Sequence, residues 1–277
     1  MVGLLKFKIG KDESIEIIDL GGYESRHEAI ANIFLQALDL IELRHLKTRE
    51  FYINSNDISF PVKGYVTFGF TCAEGVTTCP DFSFWNWPEA QIASYEEVVR
   101  NIFKNGFQPY LHDKVFWIGN LETQALRKDL LRFGRNFPDI FKILTYDKKN
   151  TQTSNDFISL IDHTQYKYLI DCGARGYSGR LKYLLHSNRP LFIVEREKEK
   201  QEYFFSDLIP NFHYIPVKSD LSDLLHQYEW AERNYSKALQ IAENARKFCL
   251  ENLNMEAVIK FLSRQIVQTL SKECNSI

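Results

Sequence analysis

Residues 168–194 read YLIDCGARGYSGRLKYLLHSNRPLFIV, and the order of residue types in this stretch decides the fold class. Tyr168 to Cys172 is a short apolar run with β-favouring residues and reads as a strand. The following GARGYSG holds three glycines, Gly173, Gly176 and Gly179, and reads as a loop. RLKYLLHS then has apolar residues at helical spacing. Leu191 to Val194 is a second apolar strand. Strand, glycine loop, helix and strand in this order make a β-α-β unit, whose strands run parallel.

The same rhythm continues on both sides. Upstream, Val115 to Ile118 (VFWI) is a strand ending in Gly119–Asn120, followed by a helix from Thr123 to Phe133 and a strand from Phe141 to Leu144. Downstream, His213 to Val217 is a strand, and helices follow at 221–233, 235–253 and from Met255 to about 270. Residues 113–253 therefore predict a parallel sheet with helices on both faces. The first part of the chain is less regular. It has strands at 4–9, 15–19, 51–54 and 66–70, and a helix from Ser25, its N-cap, to about Leu43. An aromatic segment, PDFSFWNWPE (80–89), precedes a helix at 94–104. Asn105 to Asp113, with Gly106 and Pro109, reads as a linker. The expected division is residues 1–112, 113–253, and a closing helix and tail at 254–277.

The chain has 277 residues, 44% hydrophobic and 25% charged, with a formal net charge of −2. Without a basic excess, nucleic acid is not an expected partner. The run EREKEK (195–200) reads as a solvated face. The N-terminal apolar stretch is short and broken by Lys6 and Lys8, so no signal peptide is expected, and no window is apolar enough for a transmembrane helix. A cytoplasmic protein is the expectation. Five cysteines, an odd number with no CxxC pair, read as free thiols, with a Cys72–Cys79 disulfide as the alternative.

Two loops could hold an anion. Gly119 passes into a helix carrying Arg127, and Gly173–Gly179 ends a second strand with Arg175 inside it and Arg180 behind it. Ligands of open α/β sheets collect at the C-terminal ends of strands, where helix starts favour phosphate. An arginine at a helix start opposes the helix dipole, so an anion explains Arg180 better than local stability does. Ordinary turn geometry explains the glycines equally well. Asp57, in NSNDISFP, reads as a turn former or as a functional carboxylate. The aromatic box Phe82, Phe84, Trp85 and Trp87 reads as core or as a sugar-stacking surface. His163 reads as a satisfied structural histidine or a site residue.

Residues 157–224 resemble the donor-binding half of glycosyltransferase family 90, through HTQYKYLID, SGRLKYLL and FHYIPVKSDLSDL together. PDFSFWNWPE and WIGN with Arg127 are similar to further family segments, so the resemblance covers about 51–255. It implies a GT-B arrangement, two Rossmann-like domains facing across a cleft with the C-terminal helix packed back on the N-terminal domain. It also implies an inverting enzyme that uses a UDP-sugar and no essential metal or other cofactor. On the donor side it places Gly119, Arg127, His163, Arg175, Gly176, Tyr177, Ser178, Gly179, Arg180 and Glu202, with Arg180 on the diphosphate. It makes Asp57 the general base and Asp81 the alternative, although the residues beside Asp57 differ from the family's Arg-Asp pair. Phe84, Trp85 and Trp87 fall on the acceptor side. With no signal sequence, the expectation is a bacterial enzyme acting on a lipopolysaccharide-type glycan or glycolipid, compatible with peripheral attachment at the inner membrane face. The alternative is a non-catalytic nucleotide-sugar or glycan-binding protein on the same fold.

Overall fold

The computed structural model describes residues 3–145 and 158–272. Phe157, the first residue of the resembling segment, and Cys274 lie outside them. The chain divides into two compact units, one of residues 1–96, 198–205 and 252–277, the other of residues 97–197 and 206–251.

In the first unit, β1 (Leu4–Ile9) and β2 (Ile15–Asp19) form a hairpin. The linking turn is closed by Gly10 N donating to Ser14 O at 2.8 Å, and so short a link permits only antiparallel pairing. β3 (Glu50–Asn54) pairs antiparallel with β1, while β4 (Val66–Gly69) and β5 (Thr77–Thr78) continue parallel to β3. The sheet order is β2-β1-β3-β4-β5. It is a mixed sheet, because the hairpin replaces the crossover that a fully Rossmann-like unit would have.

α1 (Glu24–Leu38) buries Ile30, Ile33, Phe34 and Leu38, with Phe34 set against the rings of the sheet. Phe7 stacks on Phe51 with ring centres 5.2 Å apart, and Phe34 meets Phe68 edge-on at 5.5 Å. The helix starts one residue before Ser25, whose hydroxyl donates to Glu89 at 2.8 Å instead of capping. It also ends before the expected Leu43, which opens a separate 3-10 turn. α7 (Met255–Leu270) covers α1 as expected and buries Val258, Leu262 and Ile266. It is capped by Asn254, whose side chain accepts from Ala257 N at 2.9 Å.

The second unit is a parallel five-stranded sheet in the order β10-β9-β8-β6-β7. Its strands are β6 (His112–Gly119), β7 (Phe141–Thr145), β8 (Tyr166–Asp171), β9 (Leu191–Val194) and β10 (Ile215–Val217). The helices are α3 (Ala125–Asn136), α4 (Leu181–Leu185), α5 (Leu224–Arg233) and α6 (Tyr235–Asn252). Val115, Trp117, Tyr168, Ile170, Phe192 and Ile215 form the centre of its core.

α2 (Tyr95–Gly106) and the expected linker belong to the second unit from residue 97 onward. At Gly106 a Cβ would sit 2.1 Å from Ser187 O, so only glycine permits the approach. Arg189 donates to Gln108 O at 2.6 Å and to Thr164 O at 2.8 Å. These contacts fix residues that composition alone marks as loose. Among the described residues, no helix is long and apolar enough to cross a membrane. The four described cysteines are free thiols.

Candidate functional site

From β6 the chain moves outward to β7, then crosses back to place β8 on the other side of β6. The strand order reverses between β6 and β8. In an open parallel sheet, that reversal splays the loops after the two strands and leaves a crevice beyond their C-terminal ends. The loops there are 120–124 and 172–180, the two that the sequence marks for anion binding.

Arg127, buried on the first turn of α3, ties these loops together. Its Nε donates to Gly173 O at 3.1 Å, its Nη2 to the same oxygen, and its Nη1 to Asn120 O at 2.9 Å. Gly173 has φ +74°, a conformation that favours glycine. With its amide nitrogen turned toward the loop, Gln124 adds bonds to Cys172 O (2.9 Å) and Ala174 O (3.2 Å). Arg127 thus acts first as a clasp for the crevice walls.

Arg180 is the half-exposed cation. Its Nη1 donates to Ile118 O, and its guanidinium lies over the Trp117 ring, 5.6 Å from the centroid. The Arg127 guanidinium lies over the same ring at 5.3 Å. At Gly119 a Cβ would stand 2.6 Å from Trp117 Cζ2 and 3.1 Å from Arg180 Nη2. Glycine is therefore needed here for close approach.

A third guanidinium was not legible in the sequence. Arg196, read as part of a solvated run, has a side chain 3% exposed and pairs with Asp171, itself 1% exposed. Asp171 also accepts from Ser178 Oγ at 2.7 Å. Burial alone would raise the Asp171 pKa. The charges of Arg196 and Arg180 and the Ser178 hydrogen bond outweigh it and hold the carboxyl below its ordinary value. Three guanidinium groups against one carboxylate leave this strand edge cationic.

Five of the remaining donor-side candidates lie in the 172–180 loop. Gly176, Tyr177 and Ser178 are buried in the loop, Gly179 is half-buried, and Arg175 is exposed. α4 is only five residues long, so the expected helix-dipole contribution behind Arg180 is small and side-chain charge carries the electrostatics. His163 is buried. Its Nδ1 donates to Ser159 O at 2.7 Å and its Nε2 has no partner. Burial, with the charge of Arg180, pushes its pKa down to about 3, so the ring is neutral and Nε2 is a bare acceptor. Glu202, also buried, lies in the 198–205 segment and belongs to the first unit.

In the first unit, Asp57 follows β3 and is 46% exposed. Arg26 Nη1 of α1 donates to its Oδ1 at 3.0 Å. Asp81 is buried and caps a 3-10 turn, accepting from Ser83 N at 2.9 Å and Ser83 Oγ at 2.5 Å. Phe84 is fully buried against Tyr95, Tyr203 and Phe204. It packs the core and cannot stack on a sugar, which corrects the acceptor-side reading of this ring. Trp85 and Trp87 are half-buried and keep a face to solvent.

An open parallel sheet with a glycine at the end of β6, a glycine loop after β8 and a cationic edge at its switch point has the geometry and charge that suit an anionic, phosphate-bearing ligand. The sequence model of glycosyl transferase family 90 matches residues 68–272, well over half of the chain. The chain belongs to that family. The matched span holds every donor-side candidate and Asp81, and begins downstream of Asp57. Protein O-glucosyltransferase 1 of Rattus norvegicus is 36% identical over 101 residues, 36% of this chain and 25% of that protein. Protein O-glucosyltransferase 2 of Danio rerio is 35% identical over 153 residues, 53% of this chain and 30% of that protein. Uncharacterized protein 035R of Invertebrate iridescent virus 3 is 22% identical over 293 residues, 87% of this chain and 27% of that protein. The chain thus spans less than a third of the length of these relatives. A solved C-terminal domain of a glycosyl transferase group 1 family protein (LpcC) from Francisella tularensis is a loose match. It covers 55% of this chain and 91% of its own at a TM-score of 0.37 and 9% identity.

Proposed function

We propose that this chain is an inverting, metal-independent glycosyltransferase that moves a hexose or pentose from a UDP-sugar to a hydroxyl of a glycan or glycolipid acceptor. The observation that carries the donor half is Arg180, half-exposed at the β6/β8 switch point and oriented by Ile118 O and Trp117. In the reaction the acceptor oxygen forms a bond to the anomeric carbon from the face opposite the diphosphate. The bond from that carbon to the β-phosphate oxygen breaks, and UDP leaves with the electron pair, so the configuration inverts. Arg180 meets the charge that grows on the leaving group. The cationic edge of Arg127, Arg180 and Arg196 supports a role otherwise filled by a divalent ion. Neutral His163 offers a buried acceptor for a ligand hydroxyl or N–H group.

One base must take the acceptor proton. Asp57 suits this better than Asp81, since its carboxylate is half-exposed while the Asp81 carboxylate is buried and caps a turn. For the acceptor, a lipopolysaccharide-type glycan at the inner face of a bacterial membrane is the first reading. The relatives named protein O-glucosyltransferases favour a second, a protein hydroxyl.

The test is UDP release from a panel of UDP-sugars, with and without EDTA, for the wild type, Arg180→Ala and Asp57→Asn. Glycan and protein acceptors are offered in separate arms. EDTA-insensitive release that both substitutions abolish supports the assignments. Full activity in Asp57→Asn moves the base to Asp81. UDP binding with no turnover of any UDP-sugar would leave a binding protein on this fold.

A further inference from the structure

The sequence assigns no role to residues 1–45, yet two consecutive residues of α1 hold the segment that bears Asp57. We infer that Arg26 is a positioning residue for the Asp57 carboxylate, and that Asp19, His27 and Ser55 anchor the backbone beneath it. This rests on the reading of Asp57 as the base.

A half-exposed aspartate on a loop has several side-chain rotamers available, whereas a general base must be held within hydrogen-bond reach of one proton. Arg26 supplies the restraint. Its guanidinium lies over the rings of Tyr23 (4.4 Å) and Phe82 (4.8 Å), so it is fixed from two elements. From there Nη1 donates both to Ser55 O at 2.9 Å and to Asp57 Oδ1 at 3.0 Å. The contact sets the carboxylate against its own backbone two residues back. It engages Oδ1 and leaves Oδ2 without a protein partner among the described residues.

His27, the next residue, is buried and faces the other way. Its Nδ1 donates to Asp19 Oδ1 at 2.8 Å, and its Nε2 lies 2.8 Å from Ser55 Oγ. Ser55 is fully buried, with its N and Oγ bonded to Gly3 O at 2.8 and 3.0 Å. Ser55 is thus held through its carbonyl by Arg26, through its hydroxyl by His27, and through its amide by Gly3. An isolated exposed ion pair contributes little to stability, so so many contacts converging on one short loop suit orientation of its carboxylate better than cohesion. The aromatic segment joins the same assembly through Phe82, not through stacking by Phe84.

The experiment is a mutant cycle of wild type, Arg26→Ala, Asp57→Asn and the double variant, with Arg26→Lys as the conservative change. The probes are UDP-glucose, UDP-xylose and UDP-galactose, assayed for UDP release with water as acceptor, and UDP alone for affinity by calorimetry. Arg26→Ala is expected to lower kcat about 10- to 100-fold, the scale set by misplacing a catalytic group by about an ångström. Donor KM and UDP affinity should stay within about twofold, because UDP contacts the other unit. Arg26→Lys should restore part of the loss. In the Asp57→Asn background, Arg26→Ala should cost nothing further, since its effect runs through a group no longer present. Wild-type kcat in Arg26→Ala beside an inactive Asp57→Asn would overturn the inference. So would losses that multiply in the double variant, or a fall in UDP affinity that tracks kcat. Full activity in Asp57→Asn alone, or no turnover of any donor, defeats the reading of the base itself and is visible without Arg26.

Discussion

Replacing Gly119 with alanine places a methyl carbon 2.6 and 2.7 Å from Cζ2 and Cη2 of Trp117 and 3.1 Å from Nη2 of Arg180. Carbon atoms pack best at about 3.5–4.0 Å, so something must move by most of an ångström. Gly119 is not among the glycines with positive φ, and the backbone accepts alanine without strain. The clash is therefore the whole effect. Trp117 is 1% exposed in the core of the parallel sheet, where close packing resists its displacement. Overpacking of this kind costs about 1–3 kcal/mol, which lowers the melting temperature by about 2–10 °C in a chain of this size. The second neighbour, Arg180, can move, and moving takes its guanidinium off the line set by Ile118 O. A charge-assisted hydrogen bond to phosphate contributes about 1.5–3 kcal/mol, so UDP affinity should fall about 10- to 150-fold. Thermal melting with and without UDP, and calorimetric titration of UDP, read the two effects separately. Wild-type melting and wild-type affinity in the variant would refute the close-approach argument. A lower melting temperature with unchanged affinity would keep the packing and detach Arg180 from the nucleotide.

Two further outcomes follow from buried charge. Asp171→Asn removes the carboxylate that pairs with the buried Arg196 guanidinium, and breaking a buried pair typically costs about 3–5 kcal/mol. Because its folded pKa is lowered from 3.8, the wild-type Asp171 contribution is present above that value and is lost as pH falls below it. The gap in urea midpoint between wild type and variant should therefore be smaller at pH 3 than at pH 5. His163 has the same sign for the opposite reason. Its folded pKa is about 3 against 6.5 for the free ring, so only the unfolded chain takes up the proton between those values. Its linkage lowers stability as pH drops from 6.5 toward 3, and His163→Gln should flatten that part of the urea-midpoint profile. An unchanged profile would mean that the ring is solvated in the folded protein.

The second unit was legible because its strands are continuous apolar runs separated by glycine loops, a pattern that buried parallel strands impose. The β6 and β8 loops were placed correctly from that alone. The division at residue 112 was not, because the contacts that hold 97–112, Gly106 against Ser187 O and Arg189 on Gln108 O, are long-range. Arg196 was hidden by its neighbours, since a run of alternating charges gives no sign of which one turns inward. Its place two positions past the apolar strand β9, nearer the strand end than Lys198 or Lys200, was the available signal. Phe84 illustrates the opposite error, in which a chemically suggestive cluster held two rings, Phe82 and Phe84, that the core had already claimed. Arg26 and His27 had no signal of their own, because their meaning depends on β3, which brings Ser55 and Asp57 to them from a distant part of the sequence.

The first unit is assembled from three pieces of chain, and its last piece includes α7, which covers α1. During synthesis, α1 emerges before α7 and must wait for residues 255–270 before the face that α7 covers is closed. The second unit completes its sheet and helices by residue 251. The face of α1 that α7 covers therefore stays open until residues 255–270 follow, the condition in which nascent chains engage chaperones.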